Sequence, residues 1–355
     1  MKIGIFTHNY SKAEDDRADA GIFVSDFVKE LSKKHEIFVF STVPKLGKFG
    51  DWKLTNPLSI VKFISLFVRK TTESVRFAKK NQLDFIMAFW ALPSGVLAYF
   101  TKLALNIPYG VWCLGSDLNF YAKVPILKIL IRLSLKNANF RFANSRLLCK
   151  IGENLSHRNF DFLPAVTENT FNFSKKIKLV SSCTNFLFVG RLEKVKGLDF
   201  LINAAQILLK EKIKFKIYIL GEGTMRPCLE NLVKKSDLEN FIEFIGQADK
   251  ETVFSYMRSS DYLVIPSRKE SLPLVIIEAA KMGLPIIAAK VGDCEELVRK
   301  YKIGRLVAPG NSKELAKVLG EVVFENRDEY KVGLKMLAND FTLAKSVSTF
   351  LKYIK

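Results

Sequence analysis

Short apolar runs rich in Ile, Val and Phe alternate along this chain with longer stretches of helical period, the pattern of βα units built around parallel sheets. In the first half, Lys2–Phe6, Glu36–Phe40, Phe85–Phe89, Tyr109–Cys113 and Asn139–Ala143 predict strands with helices between them. In the second half the predicted strands are Asn185–Val189, Phe215–Leu220, Phe241–Phe244, Tyr262–Ile265 and Pro285–Ala288, with helices starting near Gly197, Thr224, Lys250, Pro273, Asp293 and Asn311. Sheet periodicity lapses over 164–184 and polar residues collect there, which puts a linker near Phe173–Thr184. The expected class is α/β, with two Rossmann-like doubly wound domains at 1–173 and 174–337. Open α/β sheets bind ligands beyond the carboxyl ends of their strands, so the loops there are the first place to look for chemistry.

A length of 355 residues and an apolar fraction of 48% suit two packed domains and exclude a disordered chain. His8, His35 and His157 lie far apart, and Cys113, Cys149, Cys183, Cys228 and Cys294 show no CxxC, so neither a metal site nor a disulfide framework is expected. The amino terminus lacks the apolar core of a signal peptide, and the uncharged segment Phe85–Thr101 is broken by Pro93, Ser94 and Gly95. These features predict a cytoplasmic protein, soluble or peripheral on the inner face of the plasma membrane. The net charge of +19 comes with heavy Lys usage, which genome composition alone can produce. Its distribution says more: residues 53–150 hold 15 basic and 3 acidic residues, whereas 1–52 are balanced.

Three loops of the second half carry candidate chemistry. The first predicted strand there runs into Gly190-Arg191-Leu192-Glu193-Lys194-Val195-Lys196-Gly197. Glycines at a strand-to-helix turn let amides approach an anion, and Arg191 and Lys196 add two positive charges suited to a diphosphate. The plainer alternative is a basic surface turn. Next, Gly221-Glu222-Gly223 is a weak GxG with Arg226 where a dinucleotide fingerprint needs its third glycine, so NAD is disfavoured. The third is Ser267-Arg268-Lys269-Glu270-Ser271-Leu272-Pro273 and the helix it opens. Pro273 suits a first helical turn, which sets Glu270 on the loop, Glu278 inside the helix, and free amides near Leu274 and Val275 between them. Two acids beside a phosphate site need cations to offset their repulsion, and Arg191 and Lys196 are the candidates.

The ordered series GRLEKVKG, GEG, EFIG, SSDYLVIPSRKESLPLVIIEAAKMGLPIIA and GRLVAPG over roughly 185–325 resembles the retaining glycosyltransferases of family 4, which have GT-B architecture. The first half resembles them more loosely, through Ala20-Gly21-Ile22-Phe23, AFWALPSGVLA, Trp112-Cys113-Leu114-Gly115-Ser116-Asp117 and FANSRLLCKIG. The resemblance implies two domains facing a central cleft, with a C-terminal helix at about 338–355 packing back on the first. It implies retention of anomeric configuration, a nucleotide-sugar co-substrate (a UDP- or GDP-sugar), and neither cofactor nor obligatory metal. Arg191, Lys196 and Glu270 would be the catalytic set. Gly21, Gly190, Gly246, Leu274, Val275 and Glu278 would bind the donor, and Asp117 would stand near the acceptor or sugar. The acceptor would be a glycan or lipid-linked glycan of a surface polysaccharide or glycolipid. Three departures bear on donor choice or activity: Leu114 stands where the family often has His, Pro164-Ala165-Val166 where it has Pro-Asn-Gly, and Leu272-Pro273 where Phe-Gly is common.

The basic surplus of 53–150 falls on two helical patterns. After Asn56-Pro57, Lys62, Arg69 and Arg76 recur every seven residues and Lys80 joins them, while Ile60, Phe63, Ile64 and Phe67 point elsewhere. Between Pro125 and Lys136, Lys128, Arg132 and Lys136 form a stripe on an Ile/Leu-rich helix. Such helices, at 57–80 and 125–136, can rest on an anionic membrane, or can pack on a core with a solvated basic face. No nucleic-acid motif accompanies the charge, so no nucleic-acid partner is expected. A non-catalytic sugar-nucleotide binder is the remaining alternative to an enzyme.

Overall fold

A computed structural model describes residues 1–8, 10, 21–42, 57–167 and 177–354, with the side chains of 57–64 excluded. The chain divides into two compact units, Met1–Glu168 with Thr342–Lys355, and Asn169–Phe341. Each is built on a six-stranded sheet in which every pairing is parallel. The expected α/β class with two doubly wound sheets is therefore what the chain adopts. Of the linker placed at Phe173–Thr184, residues 173–176 lie outside the described set, and Thr184 already belongs to a strand.

The first sheet contains β1 (Lys2–Thr7), β2 (Glu36–Ser41), β3 (Phe85–Phe89), β4 (Tyr109–Cys113), β5 (Phe140–Ala143) and β6 (Asp161–Phe162), in the spatial order β2-β1-β3-β4-β5-β6. Successive side chains of a strand point to opposite faces, and here both faces are covered. Ile86, Ala88, Val111 and Cys113 pack on one side with the helices Val96–Leu105 and Pro125–Asn137. Phe85, Met87, Phe89 and Trp112 pack on the other with the helices Ile22–Leu31 and Leu343–Leu351. Leu343–Leu351 thus closes the first unit's second face, with Phe350 fully buried. The helix expected at about 338–355, packing back on the first unit, is there but shorter: Lys331–Asp340 ends within the second unit, and the returning helix is Leu343–Leu351. Thr342 caps the latter through its side chain and so interrupts the run.

The second sheet contains β7 (Thr184–Val189), β8 (Phe215–Leu220), β9 (Ile242–Gly246), β10 (Tyr262–Ile265), β11 (Ile286–Ala289) and β12 (Gly304–Val307). Their order is β12-β11-β10-β7-β8-β9. The topology turns at β7: β8 and β9 follow on one side, β10, β11 and β12 on the other. In the first sheet the same reversal falls between β1 and β3. Open α/β sheets bind ligands where the strand order reverses, because the loops leaving the two adjacent strands diverge there. For the second unit those loops are 190–197 and 266–273.

Two strands, β6 and β12, lie outside the sequence expectation. Both are short edge strands with little buried apolar surface, so neither produces a continuous apolar run.

Candidate active site

The loops leaving β7 and β10 meet at the point of strand-order reversal and are tied to each other. Lys196, at the end of a short 3-10 turn, donates from Nζ to Glu270 Oε1 at 2.7 Å. Ser267 Oγ donates to the same oxygen, also at 2.7 Å. The pair is largely shielded, with 22% of the Lys196 side chain and 10% of the Glu270 side chain exposed. Behind it, Arg268 makes a two-pronged contact with Asp199 at 2.7 and 2.5 Å and donates to Lys194 O at 2.8 Å. Its guanidinium lies 4.0 Å from the centre of the Phe200 ring. The Arg268 hydrogen bonds hold the Asp199 carboxyl below its ordinary range. Planar two-point pairing and stacking suit Arg to this bracing task, which fixes the loop carrying Glu270 to the helix Leu198–Lys210.

Gly197 makes the approach of the two loops possible. Its φ of 68° lies in the left-handed region, and a Cβ there would sit 2.2 Å from Pro266 O. Gly221 plays a comparable part between β7 and β8, where a Cβ would lie 2.0 Å from Gly190 O. The Gly221-Glu222-Gly223 stretch is thus a packing device, as a helix entry at a tight turn requires. Arg226 opens the next helix and is held by Glu222 and Glu230.

Arg191 contrasts with these paired cations: it is exposed and has no ion pair among the described residues. Nearby, the helix Leu274–Lys281 begins at Pro273 with no side-chain cap. Ile276 N bonds to Pro273 O at 3.1 Å, so the amides of Leu274 and Val275 are the donors left at this N-terminus. Glu278 lies one turn further along that helix and is partly buried. Gly246 closes β9 with φ 85°, and its carbonyl accepts from Gly221 N at 2.8 Å.

Gly190, Arg191, Lys196, Gly246, Glu270, Leu274, Val275 and Glu278 therefore stand at one edge of the second sheet, on the loops and helix that follow β7, β9 and β10. An exposed cation, a Lys–Glu pair and uncapped amides form a surface able to hold a phosphorylated ligand, with carboxylates for hydroxyl groups. The direct Lys196–Glu270 contact was not legible in the sequence, where the two residues had separate tasks 74 positions apart.

Gly21 and Asp117 belong to the first unit. Gly21, with φ 87°, stands immediately before the helix Ile22–Leu31 without a side-chain cap. Asp117, expected to face the acceptor or sugar, is instead fully buried. Its carboxylate accepts from Ala91 N at 2.9 Å, Gly115 N at 3.0 Å and Leu118 N at 3.1 Å, fastening the turn after β3 to the turn after β4. Burial raises its pKa, against the lowering effect of those amides. His8, weighed in the sequence only as a metal ligand, follows β1 at that sheet's own reversal point. Its ring centre lies 4.3 Å from that of Trp90, and burial lowers its pKa to about 4. Its Nδ1 is buried without a hydrogen-bond partner among the described residues.

Residues 170–332 match the family model described as glycosyl transferases group 1. An uncharacterized glycosyltransferase of Haemophilus influenzae is 29% identical over 58% of this chain and 56% of its own length. An alpha-monoglucosyldiacylglycerol synthase of Streptococcus pneumoniae is 21% identical over 71% of this chain and 63% of its own. The chain thus spans between half and two thirds of these relatives. Among solved structures, sucrose-phosphate synthase from Thermosynechococcus elongatus superposes with a TM-score of 0.77 at 18% identity, covering 99% of this chain and 98% of that one. HepE of Anabaena in complex with UDP gives 0.74 at 18% identity, covering 100% and 99%. Such likeness establishes a shared fold, that of GT-B glycosyltransferases. The family match covers β7 to β12 and every candidate residue of the second unit.

Proposed function

We propose that the protein is a retaining glycosyltransferase that moves a sugar from a nucleotide-sugar donor, a UDP- or GDP-sugar, to a glycan or lipid-linked acceptor. One observation carries the reading: the Lys196–Glu270 pair stands at the reversal point of the second sheet, on the same loops as exposed Arg191 and the helix start with the uncapped amides of Leu274 and Val275. In this role Arg191 and Lys196 stabilise charge developing on the departing diphosphate, assisted by the helix N-terminus, and so do what a divalent ion does in other transferases. Glu270 holds the donor sugar and Glu278 the ribose. The leaving phosphate oxygen takes the acceptor proton on the same face, which retains configuration. Family membership in the retaining family 4 and a place in surface polysaccharide or glycolipid synthesis belong to the same proposal.

A thermal-shift screen over UDP-, GDP- and ADP-sugars tests the donor, since ligand at about 100 times its Kd stabilises by about 2.7 kcal/mol. Product anomeric configuration by NMR tests retention, and an unchanged rate in excess EDTA tests metal independence. A second reading, a non-catalytic sugar-nucleotide binder, is favoured by Leu114, whose side chain packs against the first unit's core where the family often has His. Donor stabilisation without transfer or hydrolysis would select it.

A further inference from the structure

The helix Pro125–Asn137 has two apolar stripes that meet different fates. Leu127, Ile131 and Leu135 are buried against the first sheet's helical layer. Ile126, Ile129 and Leu133 are 63, 60 and 39% exposed, and Phe120 and Val124 just before them are 69 and 38% exposed. At about 100° per residue the exposed three fall within roughly 60° of one another, opposite the buried stripe. Lys128, Arg132 and Lys136 are exposed immediately beside them, and Lys123 is exposed on the preceding turn. Residues 119–137 contain no carboxylate. A helix resting on its own core with only a basic face in solvent would leave no such apolar stripe outside.

The neighbouring layer continues the same character. The helix Val96–Leu105 packs between Pro57–Lys80 and Pro125–Asn137. It leaves Leu103 64% exposed, and the Pro57–Lys80 helix exposes Arg76, Lys79 and Lys80. Arg69 and Lys70 there are paired with Glu73. Lys62, Ile60, Phe63 and Ile64 lie among the side chains that are not described.

We infer that Phe120–Lys136 is an interfacial strap that docks the first unit on a bilayer bearing anionic headgroups. Aliphatic side chains bordered by Lys and Arg match that partner, because the apolar stripe enters the acyl boundary while the cations reach phosphates. No nucleic-acid-binding motif accompanies the stripe, and protein interfaces are poor in Lys at their core. No helix among the described residues is long and apolar enough to cross a membrane, so attachment is along the surface. The strap follows the carboxyl end of β4, the edge where open α/β sheets take ligands. Resting on the transferase reading, this placement makes the acceptor a lipid-borne one, presented at the membrane surface.

The test is flotation of the full chain with vesicles of phosphatidylcholine alone or with about 30 mol% phosphatidylglycerol, at roughly 0.15 M salt. The wild type is expected to float with the anionic vesicles and not with the neutral ones. K128Q/R132Q should weaken partitioning about 25-fold, at about fivefold per cation, and I126S/I129S by at least about 10-fold. All four residues are exposed, so melting and sugar-nucleotide binding should stay as in the wild type. A wild type that stays unbound with anionic vesicles overturns the inference, as does an I126S/I129S variant that floats equally well. Dimerisation in solution that I126S/I129S abolishes, with no flotation, would assign the face to a second copy and also overturn it. Calorimetry with sugar nucleotides on the same samples separates the two proposals: a chain that floats but binds none keeps the strap and loses the transferase reading.

Discussion

Removing the Lys196–Glu270 pair one side at a time exposes both its structural and its chemical part. The contact is 2.7 Å long and about four fifths or more of each side chain is shielded. At an effective dielectric near 20, two charges about 4 Å apart attract by about 4 kcal/mol, before desolvation and side-chain ordering reduce the gain. A net coupling of about 1–2 kcal/mol is therefore expected. Lys196→Met keeps the aliphatic stem but leaves the Glu270 carboxylate with the Ser267 hydroxyl alone. That should cost about 2–3 kcal/mol, below the 3–5 typical of fully buried pairs because part of Lys196 is wet. Glu270→Gln should cost about 1 kcal/mol, since Lys196 can turn to water. The double variant should be more stable than the sum of the singles by the coupling energy. Turnover should behave differently: Lys196→Met loses about 10²–10³ in kcat, and the double variant does not recover it. Urea unfolding followed by circular dichroism and initial rates with the donor found by thermal shift give both quantities. Strict additivity of the stability changes would refute the pair, and a folded Lys196→Met protein with wild-type turnover would refute its catalytic role.

Three further outcomes follow from the geometry. Arg191 is exposed and has no ion pair among the described residues, so Arg191→Ala should change stability by no more than about 0.5 kcal/mol yet weaken nucleoside diphosphate binding about 10- to 100-fold by calorimetry; unchanged affinity would remove it from the site. Asp117→Asn should lower the urea midpoint by the equivalent of about 1–3 kcal/mol, because an amide group replaces one acceptor facing three backbone donors; full stability with a raised acceptor KM would restore the sugar-side role. His8 has a folded pKa of about 4 against 6.5 in the unfolded chain, so the unfolded state binds the extra proton between those values. Stability is complete above pH 6.5 and falls as pH drops towards 4, by at most about 3 kcal/mol. His8→Phe preserves the ring beside Trp90 and should flatten that slope, while the opposite slope from the raised Asp117 cancels in the comparison. Parallel stability curves for the two proteins would exclude His8 as the titrating group.

Much of the fold was legible because strands buried on both faces, such as Phe85–Phe89 and Tyr262–Ile265, are continuous apolar runs between turn residues. Edge strands β6 and β12 bury too little to leave that mark. At the site, residue types and loops were legible but pairings were not. Lys196 and Glu270 meet only because strand order places β7 beside β10, and no local spacing encodes that adjacency. Arg268 was within the singled-out loop yet went unassigned, since its partner Asp199 sits in the first turn of another helix. Asp117 followed a strand and a Gly-Ser turn, a setting in which Asp bonds to nearby backbone as readily as to a ligand. For His8, position directly after β1 was the available signal.

The return of Leu343–Leu351 to the first unit sets an order on biogenesis. Phe27, Phe85, Phe140 and Phe142 surround Phe350, which is synthesised only after the whole second unit. The intervening segment of about 170 residues needs roughly 10–35 s of synthesis at about 5–20 residues per second, and it can fold as its own unit meanwhile. Throughout that interval the first unit waits with an aromatic face uncovered, a natural client for a ribosome-associated chaperone and a reason for a chain stalled within the second unit to aggregate through the first.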